Sequence, residues 1–395
     1  MTRSAPDSCP GVLRLHQAAD GPLARIRLPG GRLRPDQLLT LAEAARDLGD
    51  GRIELTSRGN VQLRRIGDAE ELAARLGAAD LLPSRTHERV RNIVASPLSG
   101  RFGGVADIRE LIPRLDDALR AAPDLAELPG RVLFTLDDGR GDVSGLGGDL
   151  GIHAVSAQDY ALLLGGRDSG VRVPDVRAVE VLLAAAHEFQ HLRGEQWRLH
   201  EIPDGPARIV AALGLEPTTE LLEPFAPQDI PIGWFDQDDG QVSLGAGVRL
   251  GALPARTAEF LAAADRPIVV TPWRSLALSD LDEWAAEQVV RVLAPMGLIF
   301  DAASPWLLVT ACAGQPGCAK SRTDVRADVA DAVTEGRISP DGTPQPKQGL
   351  STAEITVPGR QHWSGCDRRC GRPRGHVTDV VAAPDGYRIT PPGVG

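Results

Sequence analysis

Four cysteines toward the C-terminal end carry the plainest chemistry in the sequence. Cys312 and Cys318 stand in "TACAGQPGCAK" with five residues between them, and Cys366 and Cys370 stand in "SGCDRRCGRP" with three between them. Thiols so placed close disulfides, hold zinc or hold an iron–sulfur cluster. The start, "MTRSAPDSCPG", lacks the apolar stretch of a secretory signal, so a cytoplasmic setting is expected. Thiols stay reduced there, which makes disulfides the weakest of the three readings. Structural zinc usually takes close C-x(2–4)-C pairs, and the first pair is wider than that. Loops rich in Gly and Pro let backbone N–H groups approach sulfur, and four thiolates in one region are what a [4Fe–4S] cube requires. Cys9, in "SCPGV", lies far from the others and reads as a small, partly buried residue near a turn.

A second set of metal-ligand types is "HEFQH" at 187–191. It fits the H-E-x-x-H pattern of zinc proteases, with His187 and His191 on one helix face and Glu188 beside them. The segment after it, "LRGEQWRLHEIPDG", lacks the metzincin continuation, and an amphipathic helix with two ordinary histidines is the plainer reading. The same histidines with Glu188 or Glu195 would also suit the two-histidine, one-carboxylate site of an Fe(II) oxygenase. No G-x-G-x-x-G or Walker A pattern occurs, so electrons are expected from a separate protein.

These residues need a frame. The 395 residues are enough for two or three domains, and a net charge of −10 argues against nucleic acid as partner. No apolar run is long enough to span a membrane, so no membrane partner is expected. The basic residues are nearly all Arg, Lys320 and Lys347 being the only Lys. GC-rich coding explains that, and so does recognition of several carboxylates by guanidinium forks. Periodicity gives mixed α/β: a strand at 22–29, a helix at 34–49 begun by Pro35, strands at 52–57 and 61–65, a helix at 68–77, and helical stretches near 106–122 and 175–194.

After the Pro-rich segment 222–234 the first pattern returns. Residues 241–278 read strand, helix, strand, as 24–63 do. Gly31-x-Leu33 aligns with Gly251-x-Leu253, Thr56 with Thr271, and Arg58 with Arg274 one place later. Two copies are too few for a solenoid and predict a pseudo-two-fold α/β protein.

The whole pattern resembles the sirohaem sulfite and nitrite reductase superfamily. Its T-T-R-Q-x-x-Q-L motif is matched in "LTSRGNVQL" by Thr56, Arg58, Gln62 and Leu63; its R-N-V segment by Arg91 and Asn92; its L-P-R-K-F stretch by Leu128, Pro129 and Arg131. Gly59 and Gly130 depart from those motifs. No counterpart of the reductases' anion-holding lysine pair is found, and "LLLGGRDSGVRV" offers Arg167 and Arg172 instead. "TSRGN", "ACAGQPGCA" and the short chain look more like the precorrin-3B synthase branch.

That resemblance implies an α/β (α+β) fold with two ferredoxin-like half repeats and iron–sulfur and tetrapyrrole-binding α/β domains. The expected division is 1–80 and 222–300 for the halves, 81–221 for a first α/β domain and 301–395 for the cluster domain. It implies O2-dependent hydroxylation of precorrin-3A at C20 with γ-lactone formation. The implied cofactors are a [4Fe–4S] cluster on Cys312, Cys318, Cys366 and Cys370, and a mononuclear non-haem iron. A ferredoxin or NAD(P)H-dependent reductase would donate electrons. Arg58, Asn60, Gln62, Arg91, Asn92, Arg131 and Arg274 would hold the tetrapyrrole carboxylates. Under the alternative, sirohaem would be the cofactor of a sulfite or nitrite reductase, and Cys370 would bridge cluster and haem iron.

Overall fold

A computed structural model describes residues 9–226, 228–338, 359–373 and 375–392. The first half runs through strand Gly21–Ile26, a turn at Pro29–Gly31, strand Arg32–Leu33, helix Pro35–Leu48, strands Arg52–Leu55 and Val61–Arg64, and helix Ala69–Ala78. The second repeats that order in Val242–Val248, Arg249–Gly251, Ala252–Pro254, Ala255–Ala262, Ile268–Val270, Ser275–Leu281 and Glu283–Leu293. Pro35 sits in the first helical turn, where its missing N–H costs nothing. Asp68 and Asp282 cap the later helices by accepting from backbone N–H groups that would otherwise go unpaired. Leu38, Leu41, Ala42 and Ala45 recur at helical spacing and are all buried.

The two halves share their sheets. Ala252–Pro254 pairs antiparallel with Arg52–Leu55, Leu253 facing Ile53, while Arg32–Leu33 pairs with Ile268–Val270 of the other half. One continuous apolar core results, with Leu38 and Leu63 from the first half and Leu261 and Leu278 from the second. Gly31, at φ +70°, allows the crossing, because a Cβ there would lie 2.0 Å from the Val270 carbonyl oxygen.

A second core lies under a five-stranded sheet in which Phe134–Asp137 is flanked in parallel by Ile93–Ala95 and Leu150–Ala154. Helices Leu111–Ala121 and Ala178–Leu192 cover it. The first is shorter than the expected 106–122: the Asp107 carboxylate accepts from the Arg109 N–H and turns the chain before the helix begins. In the last sheet, Val309–Ala311 pairs in parallel with Gln361–Ser364, which pairs with Thr378–Ala383. That parallel pairing brings the carboxyl ends of two strands together, and both cysteine loops leave from there.

Candidate active site

Each half ends its third strand in a threonine that closes a tight turn. The Thr56 hydroxyl accepts from the N–H groups of Arg58 and Asn60, and the Thr271 hydroxyl accepts from those of Trp273 and Ser275. The repeated Thr is thus a turn cap. Its effect is to aim Arg58 and Arg274 into one cavity between the halves, the second sheet unit and the cysteine loops.

The cavity has two lobes of about 420 and 300 Å³ that share Ser57, Arg58, Arg198, Arg274 and Gly371. Arg25, Arg27, Arg131 and Arg326 also line the first, and Arg360 and Arg372 the second. Some of these charges are neutralised: Arg198 grips Asp149 at 2.8 Å, Arg372 grips Asp379 at 2.8 Å, and Arg326 pairs with Glu54. Arg25, Arg27, Arg58, Arg131 and Arg274 have no ion-pair partner among the described residues. Burial, then the neighbouring Arg25, lowers the Arg27 guanidinium to about 9, and burial with Arg198 lowers Arg58 to about 10. Both stay cationic at neutral pH. Arg25 Nε and Arg27 Nη1 are buried without a hydrogen-bond partner among the described residues. Buried donors are nearly always satisfied, so these two call for an acceptor from outside the chain. No lysine is among the described lining residues.

Of the residues expected from sequence, Arg58, Asn60, Gln62, Asn92, Arg131 and Arg274 line the first lobe. Their roles differ. Asn60 accepts from the Leu28 N–H and donates to Asn92, whose own amide donates to the carbonyls of Arg89 and Gly130. These two asparagines brace the wall. Gln62 bridges Arg25 and Glu54. Arg131 stacks over Trp197 with its guanidinium 4.9 Å from the ring centre. Arg91 is a correction. It is buried outside the cavity, and its Nε and Nη2 donors are taken up in a two-pronged ion pair with Asp116, at 2.6 and 2.8 Å. Sequence reasoning missed Arg25, Arg27, Arg198 and Arg326. The inward alternation of "LARIRLP" could have pointed to the first two.

The cysteine loops form the far wall, where Cys312 and Cys370 line the first lobe. The Cys312 N–H bonds the Trp363 carbonyl at 3.0 Å, the Gly365 N–H points at Cys312 Sγ at 3.3 Å, and the Arg322 N–H bonds the Gly365 carbonyl. Burial raises the Cys370 thiol, and the proximity of Cys366, Cys312 and Cys318 raises it further. The two loops thus bring the four thiols into one neighbourhood, with Cys312 and Cys370 at the cavity, although no three of their sulfurs lie within 4.8 Å of one another among the described residues. Cys9, expected far from the chemistry, also lines this lobe.

The "HEFQH" helix lies elsewhere. His187 Nδ1 is 2.6 Å from Asp124, and His191 is 72 % exposed beside Glu188 at 3.8 Å. The two rings do not converge on a common point among the described residues, and neither lines the cavity. This overturns both the zinc-protease reading and the iron-site reading of His187, His191 and Glu188 or Glu195. Arg167 and Arg172 are likewise outside the cavity, Arg172 being paired with Asp168. No helix among the described residues is long and apolar enough to cross a membrane.

The site is thus a frame of paired half repeats around a cationic cleft, with Cys312 and Cys370 on one wall. The family model of the nitrite/sulfite reductase ferredoxin-like half domain matches residues 16–79. The chain is 27 % identical to a Sinorhizobium precorrin-3B synthase over 398 aligned positions, which take in 97 % of this chain and 82 % of that protein. It is 35 % identical over 127 positions to the ferredoxin–nitrite reductase of Synechococcus elongatus, covering 30 % of this chain and a quarter, 25 %, of that one. The solved structure of the Mycobacterium tuberculosis NirA protein superposes with a TM-score of 0.74 over 93 % of this chain and 74 % of that one, at 20 % identity.

Proposed function

We propose that the protein is a monooxygenase of the precorrin-3B synthase type. It takes a polycarboxylate tetrapyrrole as substrate in the cleft that sirohaem fills in the reductases. One oxygen atom of O2 enters precorrin-3A at C20, the other leaves as water with two electrons and two protons, and the ring A acetate closes a γ-lactone. The observation that carries the reading is the set of unpaired guanidiniums, Arg25, Arg27, Arg58, Arg131 and Arg274, around one cavity. Arginine forks match carboxylates in pairs, and a macrocycle with many acetate and propionate groups supplies acceptors on several sides at once. The similarity along 97 % of the chain to a precorrin-3B synthase supports it. So does the absence of lysine from the lining among the described residues.

In this reading Arg58 and Arg274 fix the macrocycle from the two halves, and Arg25 and Arg27 satisfy their orphaned donors on its carboxylates. Asn60 and Asn92 keep the wall in place. Cys312, Cys318, Cys366 and Cys370 fit a [4Fe–4S] cluster in number and donor type, with Gly365 N–H available to a sulfur. Bound there, it would supply single electrons at the cavity wall, delivered by a ferredoxin or a reductase. The described side chains with metal-ligand spacing are Asp137, Asp138 and Asp142, and the first two are taken up by backbone N–H groups and by Arg140. The four-part division of the chain, 1–80, 81–221, 222–300 and 301–395, is retained as the working assignment.

The direct test is conversion of precorrin-3A by reconstituted protein with a reductant under labelled O2. Product one labelled oxygen heavier supports the proposal; unchanged precorrin-3A under a chemical reductant contradicts it. A second reading, a sirohaem-dependent nitrite or sulfite reductase, is favoured by the placement of Cys370 on the cavity wall. Tightly bound sirohaem in the purified protein, seen by its sharp visible bands, would decide for it.

A further inference from the structure

The second lobe of the cavity is walled by arginines and aromatic rings, with one carboxyl among its described lining residues, Asp142. Asp142 is 8 % exposed. It belongs to a loop that packs Asp137, Asp138 and Asp142 with carboxyl oxygens within 4.8 Å of one another.

The three are not equivalent. Asp137 accepts from the N–H groups of Gly139, Gly141, Val143 and Ser144 and stands 3.3 Å from His153. Asp138 is gripped on both oxygens by Arg140, at 2.9 and 2.7 Å. Their acceptor capacity is spent, so a shared cation does not explain the cluster. Asp142 keeps only the Ser96 hydroxyl at 2.6 Å and a distant Arg140 contact at 3.8 Å.

Electrostatics sorts the group in the same way. Burial alone would raise Asp137, but His153 and the backbone donors hold it well below the usual range. Burial, then the charge of Asp137, pushes Asp142 up to about 7. The groups facing Asp142 are Asp137, Asp138 and Arg140 on its own loop, His153 behind Asp137, and Arg58, Arg198, Arg274, Arg360 and Arg372 on the lobe. With Asp137 held in the ionised form, the buried carboxyl beside it keeps its proton, and pairs pushed apart in this way mark acid–base assignments.

We propose that Asp142 is the proton-transfer residue of this cavity, a carboxylic acid that gives its proton to a basic nitrogen or oxygen of the bound macrocycle. The Asp142 O–H bond breaks, its electron pair stays on the carboxylate, and the proton bonds to the ligand atom. A proton from the buffered solvent then restores Asp142, and no electrons change hands. An acid poised near neutral pH is the efficient donor there. The inference rests on the macrocycle reading given above.

The test uses the full chain with uroporphyrin, a metal-free octacarboxylate porphyrin whose visible bands shift when its ring nitrogens take protons. Bound to wild-type protein and titrated through neutral pH, it should change protonation at a midpoint that Asp142→Asn displaces by about one pH unit or more. The infrared band of a protonated carboxyl that titrates near neutrality should be present in ligand-free wild type and absent from Asp142→Asn. Ser96→Ala, which removes a hydrogen bond that favours the ionised form, should move that band's midpoint upward. An Asn variant with the wild-type porphyrin midpoint, or with an unchanged infrared titration, overturns the assignment. Failure of wild type to bind uroporphyrin overturns the macrocycle reading itself, and this one with it.

Discussion

Arg274 stands in the second half where Gly59 stands in the first. The N–H of each bonds the carbonyl of its turn threonine at 3.2 Å, and their φ angles are +59° and +63°. A left-handed backbone favours Gly and costs a side-chain-bearing residue about 1–2 kcal/mol. The second half accepts that cost at a residue that enters the ligand cavity, the usual place for stored strain. Arg274→Gly should therefore be more stable in urea than Arg274→Ala, by about 1 kcal/mol. Both should bind uroporphyrin at least about tenfold more weakly than wild type, as loss of one charge-assisted contact implies. Equal stabilities of the two variants would contradict the strain argument.

Arg58 and Arg91 separate a ligand contact from a structural one. Arg58→Met should leave stability close to wild type and weaken macrocycle binding by about 10- to 100-fold. Arg91→Met leaves the buried Asp116 carboxylate with Arg120, at 3.3 Å, and should cost about 1–3 kcal/mol of stability, with little change in affinity of the folded fraction. Arg91→Met with Asp116→Leu should recover much of that loss. Denaturation and titration calorimetry on the same samples check both.

For the cysteines, Cys312→Ser, Cys318→Ser, Cys366→Ser and Cys370→Ser are each expected to lower bound iron and sulfide and to lose the brown absorbance. Cys9→Ser should keep both. Full iron and sulfide in Cys312→Ser would sink the cluster assignment.

The double variant His187→Ala/His191→Ala should keep wild-type iron content and turnover. The Asp124 contact it removes is largely exposed, and its loss should change stability by no more than about 1 kcal/mol. A fall in iron stoichiometry would restore the helix as a metal site.

Asp142 also makes a prediction for stability against pH. Its folded-state pKa lies above that of an unfolded aspartate, so the native state holds the extra proton between about 4 and 7. Stability contributed by this group is thus full below the unfolded value and falls as pH rises through 7. Asp142→Asn should flatten that decline and be the more stable protein at mildly alkaline pH, by about 1 kcal/mol or more. Thermal melts of both proteins across this range give the comparison.

The repeat was legible because it lies in local spacing: Gly31 with Gly251, Thr56 with Thr271, and a helix after each. The cavity was half legible. Arg58 and Arg274 follow a turn motif that sequence reveals, whereas Arg198 and Arg326 arrive from distant segments that only tertiary packing brings in. Arg91 misled because a motif gives an arginine's place in the chain and says nothing of Asp116, which reaches it from the helix Leu111–Ala121. "HEFQH" misled for a related reason. Helical spacing puts two rings on one face, but Asp124 claims His187 from outside that helix. Asp142 left no sequence signal, since its protonation depends on Asp137 and on burial.

The shared sheets carry a further consequence. Each half lends an edge strand to the other, Arg32–Leu33 one way and Ala252–Pro254 the other. This is the connectivity of a domain-swapped dimer whose two chains have become one. Neither half can rotate away without breaking ladder hydrogen bonds in both sheets, so the cleft has no hinge of its own. Its arginines wait in place, and the ordering entropy of a closing clamp need not be met when the ligand binds.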